Sequence, residues 1–260
     1  MSAMSKDAAR RACGILIATA LRAASRPYRP LSGCALIVAP HADDETLGCG
    51  GLIAAKVQAR HEVQVAFLTD GSASHPGHPV MAPAKLADRR YRESLDAIAV
   101  LGVSAEHAHF LGVPDGTLDR LSVKDQKSIE ARLADLIRHS RPTEVFVTWR
   151  GDGSTEHAAA CRMAESALAT AGGGVLMEYP IWAWWNPMRL KSRLGRRKSN
   201  LKLSLGSLRE IKRQALSCHR TQIEPTPPWK ESVLPLAVSR SCCGSEEFFF
   251  YSLVPSDSSD

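Results

Sequence analysis

Four chemically active side chains fall within five residues: His41, Asp43, Asp44 and Glu45. One imidazole and three carboxylates held that closely repel one another and desolvate badly. A divalent cation resolves the conflict, and His with Asp is a usual zinc ligand set. His41 and Asp44 stand three apart, on one turn. A catalytic zinc takes three protein ligands and keeps a position open for water, so a third ligand must come from elsewhere in the chain. Two simpler readings compete. The acidic run can begin a helix, with Asp44 or Thr46 as the cap and Glu45 favouring the dipole, but a cap needs one carboxylate and no histidine. Gly48, Gly50 and Gly51 suggest a dinucleotide loop, but that fingerprint places its glycines directly after the strand, in a spacing absent here.

The elements around the cluster say where it sits. Cys34 to Ala39 is an apolar run that reads as a buried strand, and a helix is expected from about 46 to 59. Further strands are expected at 63–69, 108–111, 144–149, 175–180 and 248–254. Helices are expected at 6–25, 84–101, 122–139, 155–171 and 207–217. This alternation predicts an α/β fold, a Rossmann-like, doubly wound, mostly parallel sheet with helices on both faces. The four residues then lie beyond a strand's carboxyl end, where open α/β sheets bind ligands. The third ligand is expected at another strand end. Of nine histidines, His157 is best placed, after the strand at 144–149 and beside Asp152 and Glu156. His75 and His78, after the strand at 63–69, are its competitors.

With 260 residues, 44% of them hydrophobic, the chain is long enough for one core that needs no staples. A single domain is expected over 1–260: a helical extension (1–30), a core sheet (31–185), a basic loop, helix and closing strand (186–254), and a polar tail (255–260). The net charge of +6 is below that of a dedicated nucleic-acid binder. The seven cysteines are odd in number and form no CxxC pair, which predicts reduced, mostly buried thiols and a cytoplasmic location. Arg10-Arg11 before Ala12–Leu21 resembles a short signal peptide. Arg22 follows at once without a small-x-small cleavage site, so an N-terminal amphipathic helix is expected instead. No stretch is long and apolar enough to span a bilayer.

Pro40-His41-Ala42-Asp43-Asp44-Glu45 resembles the AHPDDE signature of the PIG-L (LmbE-like) zinc deacetylases. Supporting segments are Leu68-Thr69-Asp70-Gly71, Arg90-Tyr91-Arg92-Glu93 and Phe110-Leu111-Gly112-Val113-Pro114-Asp115-Gly116. The last is the late run from Lys212 to Gln222, and together the segments span roughly residues 34–222. The resemblance implies one zinc ion held by His41, Asp44 and His157, with Asp43 as general base and Arg90 and Asp115 facing a sugar. It implies removal of an N-acyl group, mostly acetyl, from an N-acetylglucosaminyl compound. One departure stands out. The family's third-ligand motif is HPDH, and this chain has Ser154-Thr155-Glu156-His157. Ser154 therefore faces the substrate where the family has an electrophilic histidine, a role that either falls to His75, His78 or His219 or is missing.

Trp182, Trp184 and Trp185 follow the strand at 175–180 and either stack on a sugar, Trp182 foremost, or pack in the core. Seven basic residues crowd 189–202, either as a solvated loop or as a dock for a phosphate-bearing or lipid-linked acceptor or an anionic membrane surface. Their lack of interleaved aromatics argues against nucleic acid. The expected activity is zinc-dependent deacetylation of a small amino-sugar conjugate. The rivals are a thiol-conjugate amidase, an antibiotic-tailoring deacylase, and a catalytically impaired glycan-binding homologue. The oligomeric state stays open.

Overall fold

The computed structural model describes residues 3–257, with side chains from residue 14 onward. Elements follow in chain order: α1 (Ala3–Ala24), β1 (Arg26–Pro27), β2 (Ala35–Ala39), α2 (Asp44–Gln58), β3 (Val63–Thr69) and α3 (Pro83–Val100). Next come β4 (Ala108–Val113), α4 (Val123–Ser140), β5 (Glu144–Thr148), α5 (Thr155–Thr170) and β6 (Gly174–Tyr179). The last are β7 (Asn200–Ser204), α6 (Leu208–Cys218), α7 (Arg220–Ile223), α8 (Leu236–Cys242) and β8 (Glu246–Val254).

The strands form one sheet in the order β1-β7-β8-β6-β5-β2-β3-β4. Neighbours pair in parallel except where β8 runs antiparallel to β6 and β7. The central strands β2, β3 and β5 are buried along their whole length because helices cover both faces of the sheet. Ile37 and Ala39 of β2 point into a cluster with Leu52, Ile53, Ala97 and Leu216 from α2, α3 and α6. Leu36 and Val38 point the other way, onto Leu133 and Ile137 of α4 and Ala160 and Ala164 of α5. The α/β fold with two helical layers is as the alternation predicts.

Chain order reverses beside β2. From β2 the chain steps outward to β3 and β4, then returns to place β5 on β2's other flank. The carboxyl ends of β2 and β5 therefore border a topological switch point, where the loops part and leave a crevice.

Two strands and the short helices α7 and α8 are not among the elements the sequence predicts. Part of the basic run at 189–202 is strand β7, which pairs with β8, and β1 adds two residues beside it. β7 is only five residues long, Asn-Leu-Lys-Leu-Ser, and the cations that precede it hide its short alternating pattern. The expected polar tail lies partly outside the described residues. Of the six cysteines described, Cys49, Cys161, Cys242 and Cys243 are buried and all six are free, while Cys13 lies outside the described side chains.

Candidate metal centre and active site

His41 leaves β2 and the chain turns at once into α2. Asp43 occupies the N-cap position but makes no side-chain cap hydrogen bond, and its φ is 135°. That region is costly for any residue with a Cβ. The turn is held from both sides. The Asp43 N–H donates to Glu45 Oε2 at 2.9 Å, and the Leu47 N–H donates to the Asp43 carbonyl at 2.8 Å. Asp44 does not cap either. Its Oδ2 turns back to accept from the His41 N–H at 3.0 Å and lies 3.1 Å from His41 Nδ1. The capping reading therefore fails, because the carboxylates are turned away from the helix's free N–H groups. The dinucleotide reading fails too. Gly48 and Gly51 lie inside α2, where a Cβ would come within 2.0 Å of the Tyr179 ring and 2.2 Å of Leu205.

His157 arrives on the first turn of α5, after β5. Its Nε2 is 3.4 Å from Asp44 Oδ2. One ligand atom each from His41, Asp44 and His157 lies within 4.8 Å of the others. His157 Nε2 is buried without a hydrogen-bond partner. A buried imidazole nitrogen left unpaired costs free energy that a bound cation would recover. The donor set, two imidazoles and one carboxylate, is that of an open zinc site. These residues thus fit a divalent metal.

A supporting layer orients the imidazoles. His157 Nδ1 is 2.7 Å from Asp152 Oδ2, and Asp152 also accepts backbone N–H groups from Ile181, Trp182 and Ala183 at 2.8–2.9 Å. Such a carboxylate fixes the tautomer of a metal-binding histidine. His41 Nε2 is 3.0 Å from Glu156 Oε2, and Glu156 also accepts the Leu118 N–H at 2.9 Å. Sequence reasoning noted Asp152 and Glu156 beside His157 without giving them a role, since nothing in a loop's composition tells which carboxylate turns inward.

Charges couple across the site. Burial alone raises the Asp43 carboxyl, the Arg90 guanidinium at 3.7 Å opposes this, Asp44 adds to it, and the result is about 7. Asp44 moves the other way: burial would raise it, but the His157 and His41 rings hold it well below the carboxylate range. Burial would lower both histidines, yet hydrogen bonds and charge from their carboxylates push His41 up to about 10 and His157 up to about 9. The two neighbouring carboxyls thus differ sharply, Asp43 titrating near neutrality and Asp44 staying ionised.

A cavity of about 280 Å³ opens onto this cluster. Its wall includes His41, Asp43, Asp115, Arg90, Glu156 and Trp182. Arg90 is buried, bonds the Ala42 carbonyl, and reaches Asp115 at 4.0 Å. Trp182 forms part of the wall. Trp184 packs on Phe248, and Trp185 is exposed, so the three tryptophans divide between the two readings. A larger open groove of about 580 Å³ between α3 and α6 includes none of the clustered residues.

Other expected residues are placed elsewhere. His75 stacks on Trp229 at 5.2 Å and lies 3.3 Å from Thr226 Oγ1, and His78 lies 3.0 Å from the Thr226 carbonyl. His219 is buried behind the turn, with Nε2 2.9 Å from Glu45 Oε1, and so supports the carboxylate that holds Asp43. Ser154 caps α5, accepting from the His157 N–H at 3.3 Å. Among the described residues, His41 is the only histidine in the cavity wall.

The sequence model of PIG-L, described as GlcNAc-PI de-N-acetylase, matches residues 36–168. The chain is 31% identical over 166 residues to a 1D-myo-inositol 2-acetamido-2-deoxy-alpha-D-glucopyranoside deacetylase of Kineococcus radiotolerans, covering 53% of this chain and 45% of that protein. It is 26% identical over 201 residues to a diacetylchitobiose deacetylase of Thermococcus kodakarensis, covering 75% and 72%. The matched stretch thus spans less than half of the first relative's length. Among solved structures, GalB of Pseudomonas putida KT2440, a 4-carboxy-2-hydroxymuconate hydratase, superposes with a TM-score of 0.63 at 19% identity, covering 88% of this chain and 98% of GalB. At that identity the likeness concerns the fold alone.

Proposed function

The chain belongs to the PIG-L family, and from that premise we propose that it is a metal-dependent amide hydrolase that removes the N-acetyl group of an N-acetylglucosamine-type conjugate. The observation that carries the reading is the convergence of His41, Asp44 and His157 on one point, with a buried His157 nitrogen unpaired there. Zinc is the ion this ligand set suits; when bound, it acidifies water and polarises the amide carbonyl.

The remaining work falls to the chain. Asp43, buried and titrating near neutrality, accepts the proton of the attacking water. As the C–N bond breaks it returns that proton to the leaving amine. Arg90 holds the Asp43 carboxyl in place from 3.7 Å. Asp115, fixed by accepting the Ala73 N–H at 3.2 Å, is the acceptor for a sugar hydroxyl. The Trp182 ring offers a face to the sugar. The products are acetate and a free amino sugar.

Acetate release from a panel of N-acetylglucosaminides, read beside metal content, tests this. The wild-type protein should carry about one divalent ion per chain and release acetate, and a chelator should abolish the activity. His41→Ala and His157→Ala should each lose the metal. Full metal in His157→Ala, with loss in His75→Ala or His78→Ala, would overturn the ligand assignment. Stoichiometric metal without acetate release from any member of the panel would overturn the deacetylase reading while leaving the ligand assignment intact.

A further inference from the structure

The charge of this chain is segregated. Residues 8–30 and 181–209 together hold 13 of its 33 lysines and arginines and none of its 27 aspartates and glutamates. The remainder, with 20 basic and 27 acidic residues, is net acidic. Folding brings the two basic stretches together. Helix α1 packs along the 3-10 segment Pro187–Arg193, where Ile17, Leu21 and Leu190 share one apolar cluster. Gly14 lies so close that a Cβ there would sit 3.1 Å from the Pro187 ring.

Beside that contact the surface is apolar and exposed. Ile15 and Leu16 are 67% and 69% accessible, and Trp185 is 59%. Arg189, Lys191, Arg196, Arg197 and Lys198 are all exposed in the same segment. None of the five is in an ion pair among the described residues. The patch adjoins the site. Trp185 is three residues beyond Trp182 of the cavity wall. Arg189 lies against Gly153, in the loop that leads to His157, where a Cβ would be 2.7 Å from its Nε.

Exposed aliphatics and a tryptophan beside unpaired cations suit the boundary between headgroups and acyl chains of an anionic bilayer. A nucleic acid would use the cations and leave Ile15 and Leu16 in water. We propose that the face formed by α1 and residues 185–198 docks this protein on anionic phospholipid, with Ile15, Leu16 and Trp185 inserted shallowly and the arginines and lysines on lipid phosphates. No described helix is long and apolar enough to cross a membrane, and the proposed attachment is peripheral. It is independent of what the strand-end site hydrolyses.

Co-sedimentation of the full chain with vesicles of phosphatidylglycerol and phosphatidylcholine in equal parts, against pure phosphatidylcholine, tests the surface. Binding should be confined to the anionic vesicles and weaken as salt rises. The triple variant Arg196→Gln, Arg197→Gln, Lys198→Gln should bind about a hundredfold more weakly, since each cation near such a surface contributes about fivefold. It should keep the wild-type melting temperature because all three side chains are exposed. Ile15→Ser with Leu16→Ser should weaken binding at every salt concentration. Equal sedimentation with both vesicle types, or a triple variant that binds like wild type, overturns the proposal. So does duplex DNA binding tighter than the anionic vesicles and indifferent to the Ile15 and Leu16 changes.

Discussion

Buried charge occurs in two regions of this molecule and is handled in opposite ways. Beneath α2, Lys212 Nζ donates to Glu247 Oε1 at 2.7 Å and to the Leu47 carbonyl at 2.8 Å. Glu247 also accepts the Gly51 and Leu52 N–H groups. Lys56 is likewise saturated, by Glu144 at 3.1 Å and by the Leu31 and Gly33 carbonyls, while Tyr28 closes the Glu144 carboxylate. At the strand-end site the opposite holds. His157 Nε2, Arg90 Nε and His219 Nδ1 are three of the four buried side-chain atoms without a partner among the described residues. Saturated buried charge stays where it is and resists change, whereas an unpaired nitrogen beside other donor atoms, as at His157 Nε2, can take a ligand. Glutamates serve in both regions, Glu144 and Glu247 in one and Glu45 and Glu156 in the other, so partner geometry as well as composition separates structure from chemistry.

The comparison breaks most visibly by removing one partner on the saturated side. Lys212→Met should cost about 3–5 kcal/mol by chemical denaturation, because Glu247 is left charged and buried. Adding Glu247→Gln should recover part of that loss, since the amide oxygen can still accept from Gly51. A cost below about 1 kcal/mol for Lys212→Met, the range of an exposed pair, would mean that the saturated region is no more structural than a surface ion pair. On the open side, Asp43→Asn should lower kcat about a hundredfold or more while metal content and melting temperature stay at wild-type values. Metal loss in this variant equal to that in Asp44→Asn would collapse the distinction between acceptor and ligand.

A smaller effect sharpens the contrast within the site itself. Asp152→Asn removes the acceptor facing His157 Nδ1 and should weaken metal affinity about 10- to 100-fold, measured by competition with a chromophoric chelator. Unchanged affinity would make Asp152 merely a clasp for the backbone at 181–183. The smallest effect is expected at Ser154. As the α5 cap, Ser154→Ala should cost about 1 kcal/mol of stability and leave kcat intact. A fall in kcat at constant stability would instead show the hydroxyl acting on substrate.

Much of this was legible in the sequence, and the reason is local. The strand at Val63–Thr69 and the helices on either side of it follow from apolar spacing. His41 and Asp44 come together because the tight turn between β2 and α2 folds the Asp44 carboxylate back onto the His41 N–H, and their short spacing keeps both on that one turn. His157 follows from the alternation of strands and helices, which sends every strand-to-helix loop to one end of the sheet. Strand β7 did not follow, since its pairing with β8 is non-local and its five residues sit directly after a basic run.

The sequence by itself determined the kind of fold, the strand-end cluster and the chemistry its residue types allow, because those depend on neighbours a few positions apart. Only the tertiary structure decided which groups are satisfied. It put Asp152 on His157 and Glu156 on His41, sent His75 and His78 to Trp229, and tucked His219 behind Glu45. It also packed helix α1 against the distant basic segment Pro187–Arg193. Apart from Asp152 and His157, which are five residues apart, each of these is a contact across more than a hundred residues, set by packing over the whole sheet, and no local pattern of side chains encodes it.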